Sequence, residues 1–480
     1  MGVFRQIYCA VIVGCLCLNL GLILAWPSST ISLFSSVNTT LDRPMTEMEI
    51  TLLGSLSSIA AVIGTPLTGV LLDLLGRKYC CILFSLAPVV SWSILSFARR
   101  VELVLLSVFV SGLVGTSFMI VPNFINEFSQ ESIRGTLTAT VNIFFGLGII
   151  VSYFLGGFWS YDVLNYVYLT IFTVTIILLA LVRESPVHLM KKGLEKEAVE
   201  SICFYRSEKP NSKIVLQEID NLRRNLNPQF GDTQPEGEAL KPESAKKLTK
   251  WQFIRKHKPT VRGFFISFTL LNLAVFQGLI IVQVYAQVLL QDTLPSISAT
   301  WTTMAFGFVN VISAVVAAYL IDVFGRRPVM IYSSLFTCVF CILLGSHLQL
   351  LWAPSWLAAA LIFLYCATVT SGANVVPFVV VAEMFLPEVR GVMTMLIIES
   401  GWIFNFLILV IFNPLLAAVG MGIGTPRGTV PPRYSFDLLL NSREGTVGGL
   451  FVSMCVVRGW LVASAGLRSG WSLREGWGHW

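Results

Sequence analysis

Apolar residues in this chain run in long blocks, each close to the roughly 20 residues needed to cross a bilayer core as a helix. Eleven such blocks lie near 8–26, 51–72, 79–98, 101–122, 137–159, 165–183, 263–291, 299–321, 328–350, 354–380 and 391–413. Six come first, then a polar stretch at 184–262, then five more. The pattern predicts an all-α, multi-pass membrane protein with two groups of helices joined by a large loop. Within that loop, Leu194–Arg206 and Ile214–Arg223 keep helical spacing, while 227–244 is rich in Pro, Glu, Gly and Asp and reads as disordered.

Composition narrows this further. Of 480 residues, 55% are hydrophobic and only 12% charged, and the mean hydropathy is +0.75. A soluble protein carries about 25% charged residues. Half that share leaves too few polar groups to cover a water-soluble globule. A soluble enzyme, a disordered scaffold and a nucleic-acid module are excluded as the main reading. The net charge of +6 would otherwise suggest a polyanionic partner, but 16 of the 33 Lys and Arg residues lie in 184–262, with 11 acidic ones. The ten cysteines are scattered, and Cys338-x-x-Cys341, inside an apolar run, reads as packing. The four histidines are isolated, so no metal site is expected. The first run is long enough to span and shows no clear cleavage site.

With a cytosolic N-terminus, Arg5, Arg77, Lys78, Arg134, Arg326, Arg327, Arg390 and the basic loop all face inward, and Arg43, Arg99 and Arg100 outward. The excess inside favours that orientation. Asn38-Thr39-Thr40 then falls in the first outer loop, where a glycan acceptor is sensible.

A repeat organises the two groups. Gly69-x-x-x-Asp73-x-x-Gly76-Arg77-Lys78 follows run two, and Ala318-x-x-x-Asp322-x-x-Gly325-Arg326-Arg327 follows run eight. Asp322 stands 249 positions after Asp73. Glu127 with Arg134-Gly135 is matched by Glu383 with Arg390-Gly391, seven residues from Glu to Arg in both. Charges at the ends of spans are costly unless paired. Asp73, Arg77, Glu127, Arg134, Asp322, Arg326, Glu383 and Arg390 therefore read as conformational latches on the inner side.

These paired motifs resemble the sugar porter family of the major facilitator superfamily, over about residues 8–420, and within it the insect facilitated trehalose transporters. Arg183-Glu184-Ser185-Pro186-Val187-His188-Leu189 resembles the family's P-E-S-P-R-x-L, with Arg183 and Val187 replacing its first Pro and its Arg. The resemblance implies a major facilitator fold of two six-helix bundles around a central cavity, alternating access, a small neutral solute such as a sugar, and no cofactor or metal. Trp402 and Asn405 match the family's W-x-x-N, where the Trp stacks on sugar and the Asn bonds a hydroxyl. Asn310 matches another contacting Asn, and Asn142 takes the place of a Gln. Run seven departs from the pattern. Ala274 and Val275 stand where two Gln belong and Ile280 where an Asn belongs, while Gln277, Gln283 and Gln287 lie nearby. In run ten, Asn374-Val375-Val376-Pro377 keeps one proline of a Gly/Pro-rich string, so a less kinked helix is expected, and Phe378 replaces a Trp. Glu399, inside run eleven, is a carboxylate at membrane depth and a candidate for proton coupling.

A sixth run of the second half is expected near 417–440 and is absent from the sequence. Pro426, Arg427, Pro431, Pro432 and Arg433 cannot build a spanning helix. The organisation expected is a bundle at 1–183, a cytosolic loop at 184–262, a five-helix second bundle at 263–420 and a Gly/Arg/Trp-rich tail at 421–480, with the twelfth helix missing or degenerate. The expected function is facilitated diffusion of a hexose, a trehalose-like sugar or a polyol at the plasma membrane. No nucleotide loop, metal cluster or nucleophile constellation suggests an enzyme. Lipid is the expected surroundings, with no nucleic acid and no obligate protein partner evident. A sugar sensor without flux and an inactive truncated product are the alternative readings.

Overall fold

The computed structural model describes residues 2–226, 258–294, 297–350, 354–385 and 387–420. The Pro-rich part of the central loop and the tail from 421 lie outside the described residues. Eleven helices there are long and apolar enough to cross a membrane, in the predicted order of six and five. The first group comprises α1 (Gly2–Ser35), α2 (Glu47–Leu74), α3 (Arg77–Leu95), α4 (Val101–Ser111) running through a 3-10 turn into α5 (Ser117–Phe128), α6 (Glu131–Phe158) and α7 (Tyr161–Ala180). Three short helices follow in the loop: α8 (Pro186–Lys191), α9 (Glu195–Arg206) and α10 (Lys213–Leu226). The second group comprises α11 (Lys258–Val275), α12 (Leu279–Val284), α13 (Ala286–Thr293), α14 (Ala299–Phe324), α15 (Arg326–Leu350), α16 (Ser355–Thr368), α17 (Val375–Met384) and α18 (Pro387–Gly420).

Local chemistry sets several of these boundaries. Thr46 accepts from the Glu49 amide at 3.4 Å and the Glu49 carboxylate accepts from the Thr46 amide at 2.8 Å, a reciprocal cap that starts α2. On α2, Ile63, Leu67, Val70 and Leu74 recur every three or four residues and are all exposed, as a lipid-facing stripe requires. The opposite face packs inward. α2 lies along α18 and α6 along α14, so the two groups meet at two seams.

Run seven is not one helix. Gly278 sits at φ 82°, a left-handed conformation that glycine adopts without strain, and the helix breaks there and again at Tyr285. Backbone groups freed at membrane depth must find partners in the protein. Ile281 donates to Gly278, leaving the Gln277 carbonyl to accept from the Tyr365 hydroxyl. The Gln287 amide donates to Ser28 Oγ at 2.9 Å, and the freed Gln283 carbonyl accepts from the Tyr153 hydroxyl at 2.8 Å. Run ten is irregular too. A π-helical turn, Val369–Asn374, interrupts it just before Pro377. A proline removes a backbone donor and crowds the preceding turn, so one retained proline is enough to keep the helix irregular.

Candidate functional site

A cavity of about 2630 Å³ lies between the two groups. Asp73, Arg134, Asp322 and Arg326 line it at the helix ends on the loop side, and Phe118 and Asn142 line it deep within. A pocket of about 110 Å³ shares Phe118, Asn142, Phe378 and Ile398 with the cavity and continues to Gln283, Trp402 and Asn405. The far side is closed by contacts between the groups. Those are the Tyr153–Gln283 and Ser28–Gln287 bonds already described, and Thr300 Oγ1 donating to the Gly157 carbonyl at 3.4 Å. Among the described residues, no ion pair joins the two groups on the loop side. The conformation is therefore open toward the loop and closed opposite it.

Trp402, Asn405, Asn142 and Gln283 come together around the pocket. Trp402 is 6% exposed, and its indole lies so near Gly115 that a Cβ there would stand 3.1 Å away. Asn310 and Gln277 lie apart from the lining. Asn310 donates to the Phe306 carbonyl at 2.9 Å and accepts from Thr370 at 3.0 Å, tying α14 to the π turn. Gln277 is fully buried at the helix break. Ala274, Val275 and Ile280, the three apolar replacements, do line the pocket. Glu399 is half-buried, about 100° round α18 from Ile398, and makes no hydrogen bond among the described residues. Asn38 is exposed in the loop after α1.

Sequence reasoning missed Asn374 and the Phe118–Phe378 stack, whose rings lie 5.8 Å apart at 22° across the gap between the groups. The Trp-to-Phe change at 378 was the available signal for the second of these.

The charged residues form one built network. Arg77 Nη2 pairs with Glu127 Oε1 at 2.7 Å, with the two side chains 9% and 18% exposed. Arg77 Nη1 donates to the Leu72 carbonyl and to His188 Nδ1, both at 3.0 Å. Ser185 donates to the other Glu127 oxygen. The Glu184 carboxylate accepts from the amides of Arg77 at 2.8 Å and Lys78 at 3.1 Å, placing a negative charge on the positive N-terminus of α3. Burial, and then the Arg77 and Lys192 charges, push the His188 imidazole below its ordinary pKa of 6.5. Asp73 and Arg134 line the cavity, outside this network, and make no ion pair among the described residues. In the second group Asp322 and Arg326 are exposed at the cavity rim. The side chains of Glu383 and Arg390 lie outside the described residues.

The family described as sugar (and other) transporter matches residues 11–457, running on past Gly420. Facilitated trehalose transporter Tret1 of Apis mellifera ligustica is 24% identical over 410 residues, covering 84% of this chain and 76% of its own. That of Bombyx mori is 25% identical over 393 residues, covering 80% and 74%. Among solved structures, the proton:xylose symporter XylE bound to 6-bromo-6-deoxy-D-glucose aligns with a TM-score of 0.71 at 18% identity, covering 97% of this chain and 96% of its own. A partially occluded inward-open XylE from E. coli gives 0.70 at 18%, covering 95% and 98%. The fold is thus the major facilitator fold.

Proposed function

Because the chain belongs to the sugar (and other) transporter family, we propose that it carries a neutral sugar or polyol across a membrane by alternating access. The observation that supports this most is the pocket shared by both groups, where four carboxamides and an indole converge and no side chain is charged. Carboxamides donate and accept at once, as hydroxyls require, and an indole offers a flat apolar face to a sugar ring. A neutral pocket suits a neutral solute. Binding occurs between the groups, and rocking about the two seams exposes the pocket to each side in turn. The pocket does this by binding and release, with no bond made or broken. The reading extends to the plasma membrane, a cytosolic N-terminus and a glycan on Asn38. The trehalose named for the relatives and the xylose named for the structural neighbour are the first solutes to try.

The test is uptake into liposomes of labelled glucose, xylose, trehalose and myo-inositol. We expect saturable flux of at least one, lowered ten-fold or more by Trp402→Ala. Binding without flux would instead mark a sensor, and neither binding nor flux an inactive product. Flux that is equally dependent on pH in wild type and Glu399→Gln would remove Glu399 from any coupling role.

A further inference from the structure

The same pocket also speaks to the kind of sugar it takes, an inference that rests on the sugar-transport reading. Its sixteen lining residues divide unevenly. Polar side-chain atoms come from Asn142, Gln283, Asn374, Trp402 and Asn405 alone. One wall, built by α11 and α12, is hydrocarbon throughout its upper turns: Leu271, Ala274, Val275, Leu279 and Ile280. Two other buried carboxamides of the second group, Asn272 and Asn310, are spent on protein partners. Asn272 donates to Ser400 Oγ at 3.0 Å and to the Phe268 carbonyl at 2.8 Å. Asn310 is held by Phe306 and Thr370.

A pyranose bears hydroxyls around its whole ring. In a pocket shut off from water, a hydroxyl with no partner weakens binding by roughly ten-fold. The stretch of this wall from Leu271 to Ile280 has nothing to offer a hydroxyl but is well suited to hydrocarbon, and the Gln283 carboxamide enters only beyond it. We infer that the preferred solute is amphipathic. A sugar or polyol unit is held by the four carboxamides and Trp402, and an alkyl or aryl substituent lies on the α11–α12 wall. The solute class is an alkyl or aryl glycoside, ahead of a fully hydroxylated hexose or disaccharide.

Calorimetry on the full chain in lipid nanodiscs, free of glycoside detergents and corrected with empty discs, tests this with phenyl β-D-glucopyranoside, D-glucose and trehalose. The glycoside should bind at least ten-fold tighter than glucose and trehalose. Val275→Gln, which puts a carboxamide into the wall, should narrow that ratio to about three-fold. Ala274→Ser, a smaller change, should narrow it in the same direction if the larger side chain impairs folding. Asn405→Ala should weaken the glycoside and glucose alike. Glucose or trehalose binding as tightly as the glycoside, or a ratio untouched by both wall variants, overturns this inference and leaves sugar transport standing. If none of the three binds and xylose and myo-inositol do not bind either, the sugar reading itself fails.

Discussion

At the end of α2 the chain turns at Gly76, φ 99°, and Arg77 enters directly into the pair with Glu127. At the end of α14 it turns at Gly325, φ 83°, and Arg326 stays exposed at the cavity rim. The two loops share their spacing, their glycine and their arginine, yet among the described residues only the first is roofed over. A Cβ on Gly76 would overlap the Glu184 carboxylate and stand 2.9 Å from the His188 ring, whereas one on Gly325 would meet nothing within 4 Å among the described residues. The roof is the segment after α7, which brings Glu184, Ser185 and His188 down onto α3 and α5. Its counterpart in the second half would follow a sixth helix, in residues outside those described. A repeated motif therefore supplies the socket, and what fills the socket decides whether it becomes a fixed brace or an open rim.

The largest effect should come from removing the arginines one at a time. Arg77→Ala strands Glu127 and leaves the Leu72 carbonyl and His188 without their donor, a loss of about 3 kcal/mol for a pair this well buried. Arg326→Ala should cost less, at most about 1 kcal/mol, because its side chain is exposed and its interactions are screened by water. Thermal melts in lipid nanodiscs measure both, and equal losses would erase the distinction. A smaller effect is expected of the glycines. Gly325→Ala carries only the backbone penalty of a positive φ, about 1 kcal/mol. Gly76→Ala adds the displacement of Glu184 and should cost about twice as much on the same melts.

The smallest effect is in pH. Facing His188 are Arg77 from α3 and Lys192 after α8, which lower its pKa, and Glu127 from α5 and Asp73 from α2, which raise it. With burial added, the lowering side prevails. In the folded protein the ring therefore stays neutral at a pH where the unfolded chain, with pKa near 6.5, has already taken up a proton. Stability is then greatest above about pH 6.5 and falls as pH drops through and below it. Melting temperatures between pH 7.5 and 5.5 should decline in wild type and decline less in His188→Gln. Parallel slopes would show that the roof does not feel that proton.

The spans were legible because a bilayer demands long apolar blocks, and the repeat because its residues lie close in sequence. Contacts between distant segments were not. Glu184 is more than a hundred positions from Arg77, and neither residue type announces the other. Asn310 illustrates the limit within the site. An Asn at membrane depth is equally well explained by a solute or by a neighbouring helix, and its bond to Thr370 is invisible in one dimension. The breaks in run seven were missed for a related reason. Gly278 is permissive and does not by itself compel a break, which becomes affordable only once Tyr365, Tyr153 and Ser28 stand ready for the freed backbone groups.

Gln283 belongs to two structures at once. Its side chain lines the pocket and its carbonyl holds Tyr153 in the closure on the far side. On the function proposed above, cargo and gate share a single residue, on a six-residue helix flanked by breaks at Gly278 and Tyr285. A solute that draws the carboxamide toward itself also loads the bond that keeps the door shut, much as a key bears on the lever of a lock. The message need travel no farther than the width of one amino acid.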